Sequence, residues 1–241
     1  MRVVISQSML FPWVGMLEQV RLADVFVHYD DVQFSKGSLG NRVQIKTAAG
    51  PQWMTVPLQG LHLGQSIQAV QIAGKDGWQD RHLTLLRHSF AAAPYAAEAL
   101  ALAEAVYADG HTHLGSLARA SLMALVDYFG LRAGRRFVDV QALALAGQGS
   151  ERVLAIVQAL GGSRYLTGHG AARYLDHHAF EAQGVAVDYM NYQRLPYPQS
   201  HGEFSPFVSG LDLVAHCGRA GARFIASDSL GWREFLKNES K

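Results

Sequence analysis

The 241-residue chain has a single cysteine, Cys217. That excludes an internal disulfide and a cysteine-rich metal centre, and it fits a reducing compartment, so a cytoplasmic location is the expectation. Neither sign of charge prevails: 21 Lys and Arg against 20 Asp and Glu leave a net charge of +1. Composition therefore makes no case for a nucleic-acid partner or an acidic membrane. Long hydrophobic runs are missing too. Met1-Arg-Val-Val-Ile-Ser-Gln7 has too short an apolar run for a signal peptide. The Ala-rich stretch from Ala91 to Ala105 is interrupted by Glu98 and Glu104 and is shorter than the ~20 residues a membrane helix needs. A soluble helix is expected there, and the chain is not expected to be an integral membrane protein. No HExxH pattern is present, and the adjacent His177 and His178 do not share a helix face. No metal site is expected. Full GxGxxG and GxxxxGK[ST] patterns are also missing, so the cofactor stays open. There is no internal repeat.

What is present reads as an alternation of strands and helices. Val3-Val4-Ile5 is a short β-branched run, read as a buried strand ending in Ser6-Gln7-Ser8. Pro12 suits the first turn of a following helix, whose apolar face is Met16, Leu17, Val20, Leu22 and Ala23. Val25-Phe26-Val27 is a second strand, ending at Tyr29-Asp30-Asp31. A β-α-β unit makes its strands parallel. Ligands bind beyond the carboxyl ends of such strands, which places Gln7 and the paired acids at one edge.

A hairpin is expected next, with strands from Val43 to Thr47 and from Trp53 to Leu58 about a Gly50-Pro51 turn. Val43 and Ile45 would face one way, and Arg42, Gln44 and Lys46 the other. Ser66 to Ile72 alternates like a further strand. Helical periodicity begins near Asp76-Gly77-Trp78 and gives three helices to about residue 130. Val138 to Val140 is a short strand, and Ser150 caps a helix that Gly161-Gly162 ends. Arg164 to Thr167 is a strand, followed by Gly168-His169-Gly170 and a short helix through Tyr174. Val185 to Val187 is another strand, and Lys237 to Lys241 read as a frayed tail. The expectation is an α/β fold: a mainly parallel sheet with flanking helices, a β-hairpin after the first β-α-β unit and a central helical subdomain. Residues 1–75 form an N-terminal α/β half with the hairpin, 76–132 a helical layer, and 133–235 a C-terminal α/β half that completes one domain.

Polar chemistry is densest from Asp30 to Lys46. Asp30 and Asp31 can act as a base, orient a hydroxyl or amine, or bind Mg²⁺; turn chemistry at a strand end is the plain alternative. Asn41 and Arg42 can clamp a phosphate or carboxylate, since the guanidinium fork matches those groups. A salt bridge from Arg42 to Asp30 or Asp31 is the competing account. Gln33, Lys36 and Lys46 add to the same stretch. Gly168 and Gly170 let backbone approach a ligand at a helix start. His169 between them is either an acid/base group or an ordinary turn histidine. Tyr189, Tyr192, Tyr197 and Phe204, among prolines, can offer stacking faces to a sugar ring or base, with Gln199 in the same segment. Asp212, in an apolar run, needs a partner if buried.

These pieces, in order, resemble the WbqC-like protein family. They are Ile5-Ser-Gln-Ser, Phe11-Pro-Trp-Val-Gly15, Ala23-Asp-Val-Phe26, Asp30-Asp-Val-Gln-Phe-Ser-Lys36, Asn41-Arg-Val-Gln-Ile-Lys46, Val56-Pro57, Tyr165-Leu-Thr-Gly-His-Gly170, Tyr174-Leu, Gln199, Phe204-Ser-Pro206 and Ser209-Gly-Leu-Asp212. The resemblance implies a role in bacterial O-antigen or other surface-polysaccharide synthesis, with transfer of an amino acid such as glycine onto an amino sugar. The substrate it implies is a small-molecule or lipid-linked sugar. A non-catalytic sugar-binding protein of the same pathway and an ATP-dependent amide-forming ligase are the alternatives. A distant likeness to nucleotidylyltransferase-like ligases lacks their paired histidines. The expected catalytic residues are Asp30, Asp31 and His169. The expected ligand contacts are Gln7, Gln33, Lys36, Asn41, Arg42, Lys46, Gly168, Gly170, Tyr174, Gln199 and Asp212.

Overall fold

Alternation within the strands decides how the molecule is layered. In a computed structural model describing residues 1–74 and 77–239, the first strand β1 (Arg2–Ser6) leads through α1 (Val14–Leu22) to β2 (Val25–His28). Val4 and Phe26 face one core, whereas Val3, Ile5, Val25 and Val27 face another. Successive side chains point to opposite faces of a sheet, so a strand of consecutive apolar residues needs cover on both sides.

The hairpin follows as β3 (Arg42–Thr47) and β4 (Gly50–Thr55), then the short pair β5 (Leu58–Gln59) and β6 (Gln71–Ile72). Helices α2 (Trp78–Ser89), α3 (Ala96–Ala108) and α4 (Leu114–Tyr128) come next. The remaining elements are β7 (Arg136–Asp139), α5 (Gly149–Ala159), β8 (Arg164–Thr167), α6 (His177–Ala182), β9 (Ala186–Asn191), α7 (Gly210–Cys217), β10 (Asp228–Gly231) and α8 (Trp232–Glu239).

The main sheet has six strands in the order β10-β9-β8-β1-β2-β7. All neighbours are parallel except β10, which runs antiparallel to β9. The expected mixed α/β fold with a mainly parallel sheet and a separate hairpin is the observed one. Helices α1 to α4 and α7 cover one face with the hairpin, and α5, α6 and α8 cover the other. No helix among the described residues is long and apolar enough to cross a membrane.

Chain order fixes the position of greatest interest. From β1 the chain moves outward to β2 and β7, then returns to place β8 and β9 on β1's other side. The strand order therefore reverses between β1 and β8.

Several local expectations differ from the structure. Pro12 precedes α1 instead of opening it. Its carbonyl accepts the Gly210 N–H at 2.8 Å, while that of Phe11 accepts the Ser209 hydroxyl at 2.8 Å, so the chain stays extended through Trp13. The hairpin turns at Ala48-Ala49, and Gly50 and Pro51 open its second strand. Residues 66–72 form a 3-10 turn (Ile67–Ala69) before β6. The strand near residue 138 ends at Asp139, with Val140 already in a 3-10 turn. Ser150 lies inside α5, and its hydroxyl accepts the Asp176 N–H instead of capping its own helix. Lys237 belongs to α8. Asp76 and the last two residues of the tail, Ser240 and Lys241, lie outside the described residues. Gly161 does end α5, with φ +71° and an N–H to the Gln158 carbonyl at 2.9 Å, the left-handed stop that glycine permits.

Candidate functional site

In open α/β sheets the reversal of strand order leaves a crevice beyond the carboxyl ends of the strands. Here the crevice lies between β1 and β8 and encloses about 480 Å³, with Ser6, Gln19, Gly168, His169, Tyr192 and Arg194 among its walls. That volume suits a small-molecule ligand. The residue at the turn after β8 is Gly168, in ordinary extended backbone (φ −80°, ψ 168°). A Cβ there would come 3.3 Å from the Tyr192 hydroxyl and 3.5 Å from Gln19 Nε2. Those two groups are themselves bonded, with Gln19 donating to Tyr192 at 2.9 Å.

His169 has one nitrogen committed. Nε2 lies 2.7 Å from the Met190 carbonyl oxygen. A carbonyl can only accept, so Nε2 carries the proton and Nδ1 keeps its lone pair. The ring is held between Tyr192 and Phe235, at centroid distances of 5.2 and 4.8 Å. Aromatic rings continue the wall from Tyr192: Trp13 lies 5.0 Å from Tyr192 and 5.7 Å from Phe207. Arg194 places its guanidinium 5.0 Å from the Phe207 ring centre. Its φ is +49°, a strained conformation of the kind found at ligand sites. Tyr174, half exposed, closes the rim.

The two acids that end β2 take different partners from the crevice. Asp30 is buried and accepts the Ser8 N–H at 2.8 Å, the Ser8 hydroxyl at 2.8 Å and Arg119 Nη2 at 3.1 Å. Arg119 also reaches Asp139 at 2.6 Å. Carboxyl ends of β1, β2 and β7 are thereby tied to α4. Asp31 takes both arms of Arg152, at 3.1 and 2.5 Å. Arg42 bonds neither acid. His28 sits beside this network, 3.3 Å from the Ser8 hydroxyl, and burial first, then the Arg119 charge, hold its pKa down to about 4.

The rest of the polar stretch divides between two other places. Lys36, Asn41 and Arg42 line a separate cleft of about 370 Å³ beside the hairpin. Asn41 closes the hairpin base through Nδ2 to the Val56 carbonyl at 3.1 Å. Arg42 lies 4.3 Å over Trp53 and donates to the Gly37 carbonyl at 2.6 Å. Lys46 turns inward behind the hairpin instead. Its ammonium donates to Gln199 Oε1 at 3.2 Å, to the Gly202 carbonyl at 3.0 Å and to the Glu203 carbonyl. Those bonds use all three of its donors. Gln199 is further engaged with Ser205 at 2.9 Å. Gln7 and Gln33 are exposed, Gln7 at the sheet edge. Of the expected ligand contacts, only Gly168, Gly170 and Tyr174 share the crevice with His169.

Asp212 is buried, and His216 Nδ1 lies 3.5 Å from its Oδ1. Ser200 Oγ is 2.9 Å from the other nitrogen of that histidine. The trio has the order of a hydrolytic triad, but the Ser200 backbone N–H donates to the same Nε2 at 2.9 Å. The lone pair a base needs is thus occupied, and the trio holds the 199–205 loop. Of the aromatic segment, Tyr192 reaches the crevice, while Tyr189 and Tyr197 are buried in the two cores.

Gln19, Trp13, Arg194 and Phe207 were not marked by the sequence. Gln19 lies on a helix that reads as scaffold, and no local pattern separates it from a surface glutamine. Glu18, beside it, is buried with its pKa raised by burial and lines a narrow slot beneath Trp13. Strained Arg194 has no sequence signature at all. Among the described residues no group of three or more His, Cys, Asp or Glu is placed to hold a metal ion.

A family model described as the WbqC-like protein family matches residues 7–224. The chain is 33% identical over 227 residues to the "Uncharacterized protein Rv1507c" of Mycobacterium tuberculosis (strain ATCC 25618 / H37Rv), a match covering 93% of this chain and 97% of that one. No solved structure matches it.

Proposed function

The chain belongs to the WbqC-like protein family, and on that premise we propose that it is a transferase of bacterial surface-polysaccharide synthesis that forms an amide on an amino sugar. The observation carrying this reading is His169. It stands in the crevice with Nε2–H fixed on the Met190 carbonyl and Nδ1 bearing a lone pair. A base at this place takes the proton from an amine as its nitrogen bonds to the carbonyl carbon of an activated acyl donor, while the bond from that carbon to the donor's carrier group breaks and the carrier leaves with the electron pair. Trp13, Tyr192 and Phe207 supply faces for a sugar ring or base, and Arg194 supplies a cation for a phosphate or carboxylate. Asp30 and Asp31 then act through structure, holding the edge on which the crevice is built. The first β-to-α turn has no glycine between Gln7 and Val14, which weighs against a dinucleotide held in the usual phosphate-binding loop.

The test is turnover by purified protein with nucleotide sugars, glycine and ATP, read by mass spectrometry. His169→Ala is expected to lower the rate by about 10²–10⁴-fold, far more than the loss of stability expected from its one hydrogen bond and its ring contacts. Tight sugar binding with no product from any donor would replace the enzyme by a binding protein of the same pathway.

A further inference from the structure

The hairpin side of the molecule carries an exposed apolar tip next to two cations. Leu63 is 91% exposed, Leu61 43% and Trp53 45%. Leu61 lines the same cleft as Lys36 and Arg42, and Arg42 stacks on Trp53 at 4.3 Å. The surface therefore runs from Trp53 through Arg42 and the cleft to Leu61, two residues from Leu63. From Val32 to Gly74 the sequence contains no Asp or Glu, so this stretch supplies cations with no acid of its own to neutralise them.

The leucine tip is braced. The Gln65 N–H reaches the His62 carbonyl at 3.3 Å, Gln65 Oε1 accepts the His62 N–H at 3.3 Å, and Gln65 Nε2 donates to the Ala69 carbonyl at 2.9 Å. The Phe34 N–H then ties the Gln65 carbonyl to the loop carrying Lys36 at 2.8 Å. Presenting Leu63 to a partner thus needs little new ordering of the backbone. Exposed leucines and a tryptophan grouped around a cleft that carries two cations have the chemistry of a bilayer boundary. Apolar side chains enter the acyl region there, indole sits at the headgroups, and Lys and Arg meet lipid phosphates.

We propose that the face formed by Trp53, Leu61 and Leu63 around the Lys36–Arg42 cleft docks the protein on an anionic phospholipid surface. Docking there places the crevice close to the bilayer. The loop from Ser35 to Gly40 is the wall between the two, since Lys36 and Gly37 line the cleft and Leu39 lines the crevice. This inference does not depend on the transferase reading, because vesicle binding is measured without turnover.

The experiment is co-sedimentation of the 241-residue chain with vesicles of phosphatidylcholine alone or of phosphatidylcholine mixed with the anionic phosphatidylglycerol. Binding is expected on the anionic vesicles only. It should fall about tenfold in Leu63→Asp and about fivefold in Lys36→Gln, and fall when salt shortens the Debye length to about 3 Å. Leu63 and Lys36 are both exposed, so neither change threatens folding; circular dichroism confirms it. Equal binding to neutral vesicles, undiminished binding by Leu63→Asp, or no binding at all would overturn the proposal. Displacement by inorganic phosphate at constant ionic strength would overturn it in favour of a soluble phosphate ligand. A dimer lost in Leu63→Asp, with no vesicle binding, would overturn it in favour of a second copy of the chain.

Discussion

Replacing Asp30 by Ala separates the two roles an acid at this edge can have. The carboxylate is 1% exposed and accepts three hydrogen bonds, two from Ser8 and one from Arg119. Alanine leaves the Ser8 N–H and hydroxyl buried without that partner, at a cost of roughly 1–3 kcal/mol. It also removes one of the two carboxylates on Arg119. Removing one partner of a fully buried ion pair costs about 3–5 kcal/mol, but Arg119 keeps Asp139 at 2.6 Å and is 29% exposed. Taken together the loss is about 3 kcal/mol. For a chain of this size that lowers the melting temperature by roughly 6–12 °C. Asp30→Asn keeps an acceptor for Ser8 and surrenders the charge, so it should fall between alanine and the native protein. The assay is thermal unfolding followed by circular dichroism, alongside turnover or ligand affinity. A melting temperature for Asp30→Ala within about 2 °C of the native value, with activity lost, refutes the reasoning and returns Asp30 to the chemistry.

Two further outcomes follow from a buried histidine and a closely packed glycine. His28 titrates near 4 in the folded protein against an ordinary 6.5. Below pH 6.5 the unfolded chain therefore binds a proton that the folded chain refuses. Stability should fall by about 2 kcal/mol between pH 6.5 and pH 5 from this group alone, and His28→Gln should flatten that part of the urea-midpoint profile; parallel profiles would refute it. A Cβ on Gly162 would lie 2.6 Å from Val3 Cγ2 and 2.8 Å from Val157 Cγ1, so Gly162→Ala should destabilise by about 1–3 kcal/mol. An unchanged urea midpoint would show that the helix and sheet have room to part.

The first β-α-β unit was legible because its signals are local. The runs Val3-Val4-Ile5 and Val25-Phe26-Val27 pair in parallel, and Ser6 lies opposite His28. Polar ends of both strands therefore share one edge, as their order implied. Fates of the acids at that edge were not legible, because Arg119 and Arg152 lie 89 and 121 residues away in sequence. The position of β8 beside β1, which creates the crevice, is likewise a long-range fact. Lys46 was placed with Arg42 and Gln44 on a polar face by strand alternation. At Lys46 that face is covered by the 199–205 loop, so the lysine is buried where alternation alone leaves it in water. Residues 66–72 show the opposite failure: their alternation is real, but a 3-10 turn presents Ile67 and Val70 to a small core under Phe34 and Leu114.

Ser209 joins the two ends of the chain. Its hydroxyl reaches the Phe11 carbonyl across 198 residues, and its N–H reaches the Gln44 carbonyl at 2.9 Å. Phe207, two residues earlier, is a wall of the crevice. Contacts of such separation close slowly, since loop entropy is lost before they form. A chain emerging from the ribosome can complete β1 and β2 early, yet it has no crevice until residues beyond 200 have been made and have docked on the N-terminal segment. Ligand binding therefore reports a contact closed across most of the sequence, and a refolding assay read by ligand should lag one read by helix content.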